Sequence, residues 1–553
     1  MRSRALTGWS TTADNPSVRT AFVVTISDQD KFEVRFATNT DFENETDGDW
    51  KLRPGLKTDL DGLTVEVDPR QQGAPMPSIP EIKIDAAAMR ELFGGSFLKN
   101  PGALKIEISL ISEKIAWANR IVIVSGVYIN PNSVYYSDGA MSFGVMDPLD
   151  RGKVLLPRKL IDASKLPWTA DYLQQNVTGM PFPICYGSVY RSAPIKAYDD
   201  GGAGNADQTQ PIRRYILCGH QCSGSSATVH RTSAEVAAQF GGGWADISET
   251  ILTAKTTDGV VFSYIETDGA TGDEDPTATP PKECHAISFG ATSGVKATAG
   301  GVIRDLLERW TDIEFDETLA RGVSLVVEAL GSPVSVIING EGRDRASIKE
   351  LIDQRFATQF RLLTARFGGS MFLFPLNKIM NEPGVGYMKP AAVLPLGGEC
   401  HVRGEIRESA DIGNYFEARY AQRESGGFDG LVTLGPDSDF GCERSRSYYG
   451  RREWSSIELP DVAVGATAGA ILSYLRGVAL EPWYETEIFA PLNYSYLSAA
   501  LKVRLLYADE KKIADNCPRF RHNLDHDTSE EWRDALITKI RYTKAGLWLS
   551  VAF

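Results

Sequence analysis

Apolar residues recurring at every second position, in short runs closed by Gly, Pro or Asp, constrain the fold of this 553-residue chain more than any other feature. A period of two places alternate side chains on opposite faces of an extended backbone, so one face can be buried while the other meets water. Phe22-Val23-Val24-Thr25-Ile26 and Phe32-Glu33-Val34-Arg35-Phe36 read as strands, and Asp47-Gly48 and Asp61-Gly62 as turns. A Pro- and Gly-rich loop, Pro69 to Pro80, precedes a strand pair at Ala103 to Leu110 and Arg120 to Ile129. Val134 to Gly139 and Met141 to Pro148 add short strands, so segment 1–150 is expected to be an N-terminal β-barrel-like domain.

Segment 151–210 reads as an irregular connection ending in the Gly/Asp/Asn-rich stretch Asp199 to Gln210. Segment 211–294 returns to β structure, with strands at Arg214 to Cys218 and Val260 to Ile265 and a polar loop from Thr267 to Pro281. The period then changes. Val302, Leu306, Leu307 and Trp310 share one helical face, and Ser347 stands three residues before Glu350, the capping-box spacing. That box opens a helix with Ile348, Leu351, Ile352, Phe356 and Phe360 on its apolar side. With a buried strand at Met371 to Phe374, segment 295–400 reads as an α+β insertion. Segment 401–553 is β-rich again: Val402 to Ile406, Tyr415 to Tyr420, Lys502 to Leu506, Thr538 to Thr543 and Leu547 to Ala552. One long helix interrupts it, with Ala468, Ile471, Leu472 and Leu475 inward and Pro482 past its end. The fold class that follows is a multi-domain, β-rich α+β protein.

Charge narrows the function classes. With 58 Lys+Arg against 72 Asp+Glu the net charge is −14, so the basic footprint of a protein that grips nucleic-acid backbones is missing. No apolar run reaches membrane-spanning length, and Met1 to Asn15 lacks the apolar stretch of a secretory signal; no membrane span and a cytoplasmic site of synthesis are expected. Seven cysteines, sparse and odd in number, point to reduced buried thiols.

Cys218-Gly219-His220-Gln221-Cys222 is the most chemical-looking piece, because thiolate and imidazole ligate zinc and iron–sulfur clusters. On a strand, residues 218, 220 and 222 share a face, but neighbours lie about 7 Å apart, too wide to chelate one ion. Cys284-His285 and Cys400-His401, each preceded by Glu, could join such a site only if the fold gathered them. Buried thiols without metal are the expectation. Asp437, Asp439 and Glu443 cluster in a Gly/Pro/Ser loop and read as solvated, as do Arg444, Arg446, Arg451 and Arg452. Tyr448 to Trp454 interleaves aromatic and basic residues, but reads as a strand edge and turn. Gly201-Gly202-Ala203-Gly204 has no helix after it, and phosphate-loop, nucleophile-elbow and zinc-protease motifs are missing. No catalytic, cofactor-binding or metal-binding residue is therefore assigned, and no cofactor is expected.

Three stretches resemble the tail hub (baseplate or tail-tip hub) proteins of bacteriophages and related phage-tail particles. Gly179-Met180-Pro181-Phe182-Pro183-Ile184-Cys185-Tyr186-Gly187 is similar to a G-x-P-x-P-x-x-Y-G element between two barrels of such proteins, and it follows a strand ending in Asp147-Pro148. Gly301 to Leu307 resembles the helix that opens their middle α+β domain. Gly413 to Tyr420, then Ser445 to Arg452 with its Ser-x-x-x-Tyr-Gly turn, then a helix from Ala468 to Leu480 before Pro482, resemble their C-terminal half. The order spans most of residues 140–510. One departure is Tyr496 to Leu501, where hubs carry a Gly-Asp turn before a strand.

The resemblance implies two tube-type β-barrels with the α+β domain inserted, and a structural virion protein at the tail tip, assembled in the host cytoplasm. Three subunits would close a ring approximating the six-fold symmetry of the tail tube. That homotrimer would join a distal tail or tube protein to a spike or fibre, with DNA and the tape-measure protein passing through without specific binding. Alternatives are another baseplate or distal tail component, a tail enzyme that degrades the host envelope, and a carbohydrate-binding receptor protein.

Overall fold

The computed structural model describes residues 20–28, 32–38, 52–66, 78–93, 101–112, 115–149, 155–201, 211–231, 245–268, 284–311, 313–315, 334–339, 346–360, 362–367, 370–375, 391–396, 400–403, 407–408, 412–423, 425–480, 483–495, 497, 499, 501–507 and 532–552. The Asp47-Gly48 turn, residues 69–77 of the Pro-rich loop, 202–210, 269–281 and Pro482 lie outside them, as do Tyr496, Ser498 and Ala500.

The N-terminal runs form a six-stranded sheet in the order Val145–Met146, Ile121–Ile129, Lys105–Ser112, Thr20–Asp28, Phe32–Ala37, Arg53–Pro54. Thr20–Asp28 is central, antiparallel to both neighbours, with Phe22 opposite Leu110 and Val24 opposite Ile108. Phe22, Val24 and Ile26 enter the main core, whereas Ala21 and Val23 pack with Ala37, Leu52 and Ile111 on the other face. Both faces are covered, which is why residues 21 to 26 are almost continuously apolar.

The C-terminal sheet has eight strands and draws on distant sequence. Trp532–Tyr542 lies between Lys502–Tyr507 and Leu547–Ala552; Ala392–Leu396 adds in parallel beside Lys502–Tyr507. Leu63–Glu66, from the N-terminal segment, pairs with Trp532–Tyr542 through Val65 opposite Ile540. Lys502 is fully buried, with its Nζ 2.6 Å from Asp534 Oδ2; Arg504 meets the same carboxylate at 2.8 Å.

Between these sheets the chain is β-built with less irregularity than its sequence predicts. Residues 157–183 are short 3-10 turns and bridges, but Ile184–Ser192 and Ile195–Asp199 are full strands. Ile184–Ser192 mixes small residues with apolar ones and sits between two partners, Ala286–Gly290 and Ser335–Ile338, in a five-stranded sheet. Ile195–Asp199 pairs with Ile212–Cys218 in a four-stranded sheet completed by Val261–Asp268 and Leu252–Lys255.

The helices start where their caps say. Thr298 accepts from Gly301 N and opens Ala299–Trp310, which buries Val302, Ile303, Leu306 and Leu307. The Ser347–Glu350 capping box is present, with both reciprocal bonds, and the helical run continues through residue 360 with a π-type turn over Leu351–Ala357. Gly465–Ala479 buries Ala468, Ile471, Leu472 and Leu475 against the hairpin Phe416–Gln422/Phe428–Leu434. Two helices are unexpected among the described residues: Ala86–Phe93, and Phe440–Tyr449, which replaces the predicted loop and turn because Asp439 accepts from Cys442 N and Gly450 ends it. Met371 to Phe374 falls in strand Ser370–Pro375. Among the described residues no helix is long and apolar enough to cross a membrane.

One large core joins the N-terminal sheet, the two helices of residues 299–360 and the C-terminal sheet. Two small cores lie within residues 161–291.

Candidate functional site

The Cys218-to-Cys222 piece does not lie on a strand throughout. Ile212–Cys218 ends at Cys218, and Gly219–His220 is a bend tied down by Gly219 N donating to Pro183 O at 2.8 Å. Ser263 Oγ then clamps the turn twice, donating to His220 O and accepting from Cys222 N, both at 2.9 Å. The chain folds back on itself, and Cys218 Sγ comes to 3.4 Å from Cys222 Sγ. The extended-strand spacing expected from sequence is therefore corrected: the bend after Cys218 brings together two thiols that a strand would hold apart.

The His220 ring is held by backbone carbonyls. Its Nε2 lies 2.9 Å from Cys185 O and its Nδ1 3.1 Å from Gln221 O, so both ring nitrogens are engaged by backbone. Cys185 Sγ reaches Leu217 O at 3.7 Å. The Cys218 thiol is pushed well up, first by its hydrogen bond with the Cys185 thiol. Cys222 is pushed up by its bond with Cys218 and then by burial. Cys284 packs against the same small core, Cys400 is buried in the large one, and His401 is exposed, so the three Cys-His pairs are not gathered. Among the described residues no group of three His, Cys, Asp or Glu is placed to hold a metal ion.

Sequence spacing gave no hint of a second polar chain, Asp246–His230–Ser288. His230 Nδ1 lies 2.9 Å from Asp246 Oδ2 and Nε2 lies 2.7 Å from Ser288 Oγ. With the ring proton on Nδ1, the bonds run from serine to imidazole to carboxylate, the polarity of a nucleophilic triad. The surroundings give it another task. Ile184–Ser192 bulges between Val189 and Ser192, opposite Ser288, and Arg191 takes φ +44° there. Arg191 N, which the bulge removes from the ladder, donates to Ser288 Oγ at 2.9 Å. The serine thus caps a bulge mid-strand, and the imidazole Nε2 accepts its hydrogen bond. Its members come from three segments that only the sheet brings together, so no local motif could have shown it.

The remaining predicted groups stay apart. Asp439 is a helix cap that also meets Arg476 at 3.0 Å; Asp437 is fully exposed and Glu443 lies on the exposed first turn. Arg446 faces Asp437, Arg451 pairs with Glu453 and lies over the Tyr415 ring, and Arg452 donates to Tyr449 O. A cavity of about 30 Å³, lined by Pro183, Cys185, Ile195, Leu217 and Ile337 among others, holds about one water and is far below the ~300 Å³ of a ligand pocket.

No protein-family model and no curated protein matches the chain. Among solved structures the chain is similar to the prophage tail protein gp18 from Listeria monocytogenes, at 8% identity over 66% of this chain and 87% of that one, TM-score 0.24. It is similar to a tail protein from Neisseria meningitidis, at 9% identity over 67% and 97%, TM-score 0.28. A chain of the virion of a native gene transfer agent particle is 11% identical over 73% and 91%, TM-score 0.33. These neighbours are tail and virion proteins.

Proposed function

We propose that this chain is a structural component of a phage-type tail tip: a hub, three copies of which close a ring that joins the tail tube to the tip or spike. The observation that carries the reading is the order of three hub-like sequence elements, each of which folds here as an architectural joint. Gly179 to Gly187 leads into Ile184–Ser192, which lies between Ala286–Gly290 and Ser335–Ile338 in the five-stranded sheet, and Gly187 lies so close to Val334 O that a Cβ has no room. Gly301 to Leu307 is the buried face of Ala299–Trp310, and its Asp305 accepts from Tyr186 Oη at 2.8 Å. The Gly413-to-Tyr420 element centres on fully buried Asn414, which donates to Gly450 O and accepts from Arg452 N, locking strand to helix end.

The chain acts by geometry in this reading and turns over no substrate. Two tube-type barrels with residues 295–400 inserted pair their edges with sister subunits, which removes open strand edges. An acidic wall repels DNA and keeps it moving, alongside the tape-measure protein. Mass photometry and electron microscopy of the purified chain test this: three copies of the 60.6 kDa chain in a ring, and antibody label at the tail end of virions, are expected. Six copies would turn the reading to a distal tail or baseplate component. A monomer that degrades host envelope would overturn it.

A further inference from the structure

We propose that Cys218 and Cys222 are a dithiol modification site that closes to an intrachain disulfide when the chain meets a low-molecular-weight disulfide. The two Sγ atoms already stand 3.4 Å apart and have to close to about 2.05 Å to bond. Ser263 supplies the preorganisation. By bonding His220 O and Cys222 N at once, it fixes both ends of the peptide that carries the second thiol. Gly219, anchored to Pro183 O, makes the bend; a Cβ there would fall 2.8 Å from Phe182. The two thiols differ in burial: Cys222 is half-buried, while Cys218 is sealed at 0% exposure.

That asymmetry sets the order of steps. The Cys222 thiolate attacks one sulfur of oxidised glutathione, forming a mixed disulfide and expelling one glutathione thiolate. The Cys218 thiolate then attacks Cys222 Sγ and expels the second. The protein loses two protons and two electrons, and one oxidised glutathione becomes two reduced ones. Both thiols hold their protons tightly, so closure accelerates as pH rises. The chemistry stands independently of the tail-tip reading. Only its timing, open in the reducing cytoplasm of assembly and closed outside, rests on that reading.

The test uses the full chain with oxidised glutathione at alkaline pH, followed by intact mass and peptide mapping. Loss of two hydrogens, mapped to the Cys218–Cys222 link with no retained glutathione, is expected. Cys218→Ser should stop at a stable glutathione adduct on Cys222, and Cys222→Ser should leave Cys218 unmodified. Ser263→Ala, which frees the turn but keeps both thiols, should slow closure by about five- to tenfold. A link to Cys185 instead, a wild-type chain that stops at the adduct, or a Ser263→Ala variant closing at the wild-type rate would each overturn the proposal. Thiol state in purified virions tests the timing: a chain missing from virions sinks the tail-tip reading and leaves the disulfide chemistry intact.

Discussion

Residues 161–291 and the segments flanking them bury apolar surface in different ways. The flanks pool most of theirs: Phe22 and Ile108 of the N-terminal sheet, Leu306 and Phe356 of the helices, and Ile540 and Leu549 of the C-terminal sheet belong to one core, with a minor cluster around Val23 on the far face of the N-terminal sheet. The middle keeps two small cores of its own, one around Val229 and Phe289, the other around Phe262 and Tyr198. The wall between is one sheet thick, formed by two paired strands. In Ser335–Ile338, Val336 and Ile338 face the large core and Ile337 the small one; in Ile184–Ser192, Tyr186 faces the large core and Cys185 and Val189 the small one. The paired thiols and the His230 chain lie on the small-core side. A pooled core makes distant segments melt together, whereas a small core behind a wall can open alone.

The wall itself should give the largest effect. Gly187 has φ +69° and no room for a Cβ beside Val334 O, so Gly187→Ala should cost more than about 4 kcal/mol and separate the two strands. Gly179, in the same sequence element, has φ +88° but open space around it; Gly179→Ala should cost only about 1 kcal/mol. Urea denaturation of both variants checks the pair. Equal losses would mean that the wall is not under steric constraint.

Core deletions come next. Phe356→Ala and Phe262→Ala each empty a fully buried site and should cost about 3–5 kcal/mol. Their reach should differ. By hydrogen exchange, Phe356→Ala should lower protection in Thr20–Asp28 and Trp532–Tyr542 together, while Phe262→Ala, which loses contacts with Trp168, Phe182 and Tyr264, should loosen residues 161–291 alone. Uniform loss in both would erase the distinction between pooled and walled cores.

Asp461 fastens the wall from the flank side. Its carboxylate is 1% exposed and accepts from Arg355 Nε at 2.7 Å and Gln359 Nε2 at 2.8 Å, while its own carbonyl accepts from Ser335 N at 2.8 Å. Breaking a buried pair costs about 3–5 kcal/mol, and the partly exposed Arg355 head can recover some hydration, so Asp461→Asn should fall near about 2–3 kcal/mol. Thermal denaturation of D461N measures it.

Sequence made the flanks legible and the wall opaque, for physical reasons. Period-two runs such as Phe32 to Phe36, and the Ser347–Glu350 box, report local backbone preferences, and both are where they were expected. The Leu63–Glu66 strand gives no sign that its partner lies beyond residue 530, because pairing partners are chosen by tertiary packing. Phe440–Tyr449 carries little apolar periodicity, so in the sequence only its cap, Asp439, marks it, and a lone acid beside Gly and Pro reads equally as a loop. The sequence expectation for the thiol pair rests on an extended backbone from Cys218 to Cys222, which the bend at residues 219–220 breaks. Gly219 was the available signal for a bend.

The smallest expected effect concerns a tie across the wall, Tyr190 Oη donating to Asp429 Oδ2 at 2.7 Å, from Ile184–Ser192 to the hairpin strand Phe428–Leu434. Burial, then the bond to Asp429, pushes the Tyr190 phenol up from 10.0 to about 12. For Asp429, burial works upward, but the hydrogen bonds from Tyr190 and Arg423 outweigh it and hold the carboxyl below 3.8. The signs bracket a window. A phenol raised on folding contributes its stability in full below pH 10.0 and loses it as pH climbs through about 12. A carboxyl lowered on folding contributes above 3.8 and loses it as pH falls through its folded value. Tyr190→Phe should cost about 1 kcal/mol at neutral pH, as one hydrogen bond does. It should also remove part of the wild-type stability loss between pH 10.0 and about 12, leaving the slopes from other tyrosines in place. Urea midpoints of both proteins across that range decide it: parallel curves would show that the middle and the flank hairpin are not coupled through this bond.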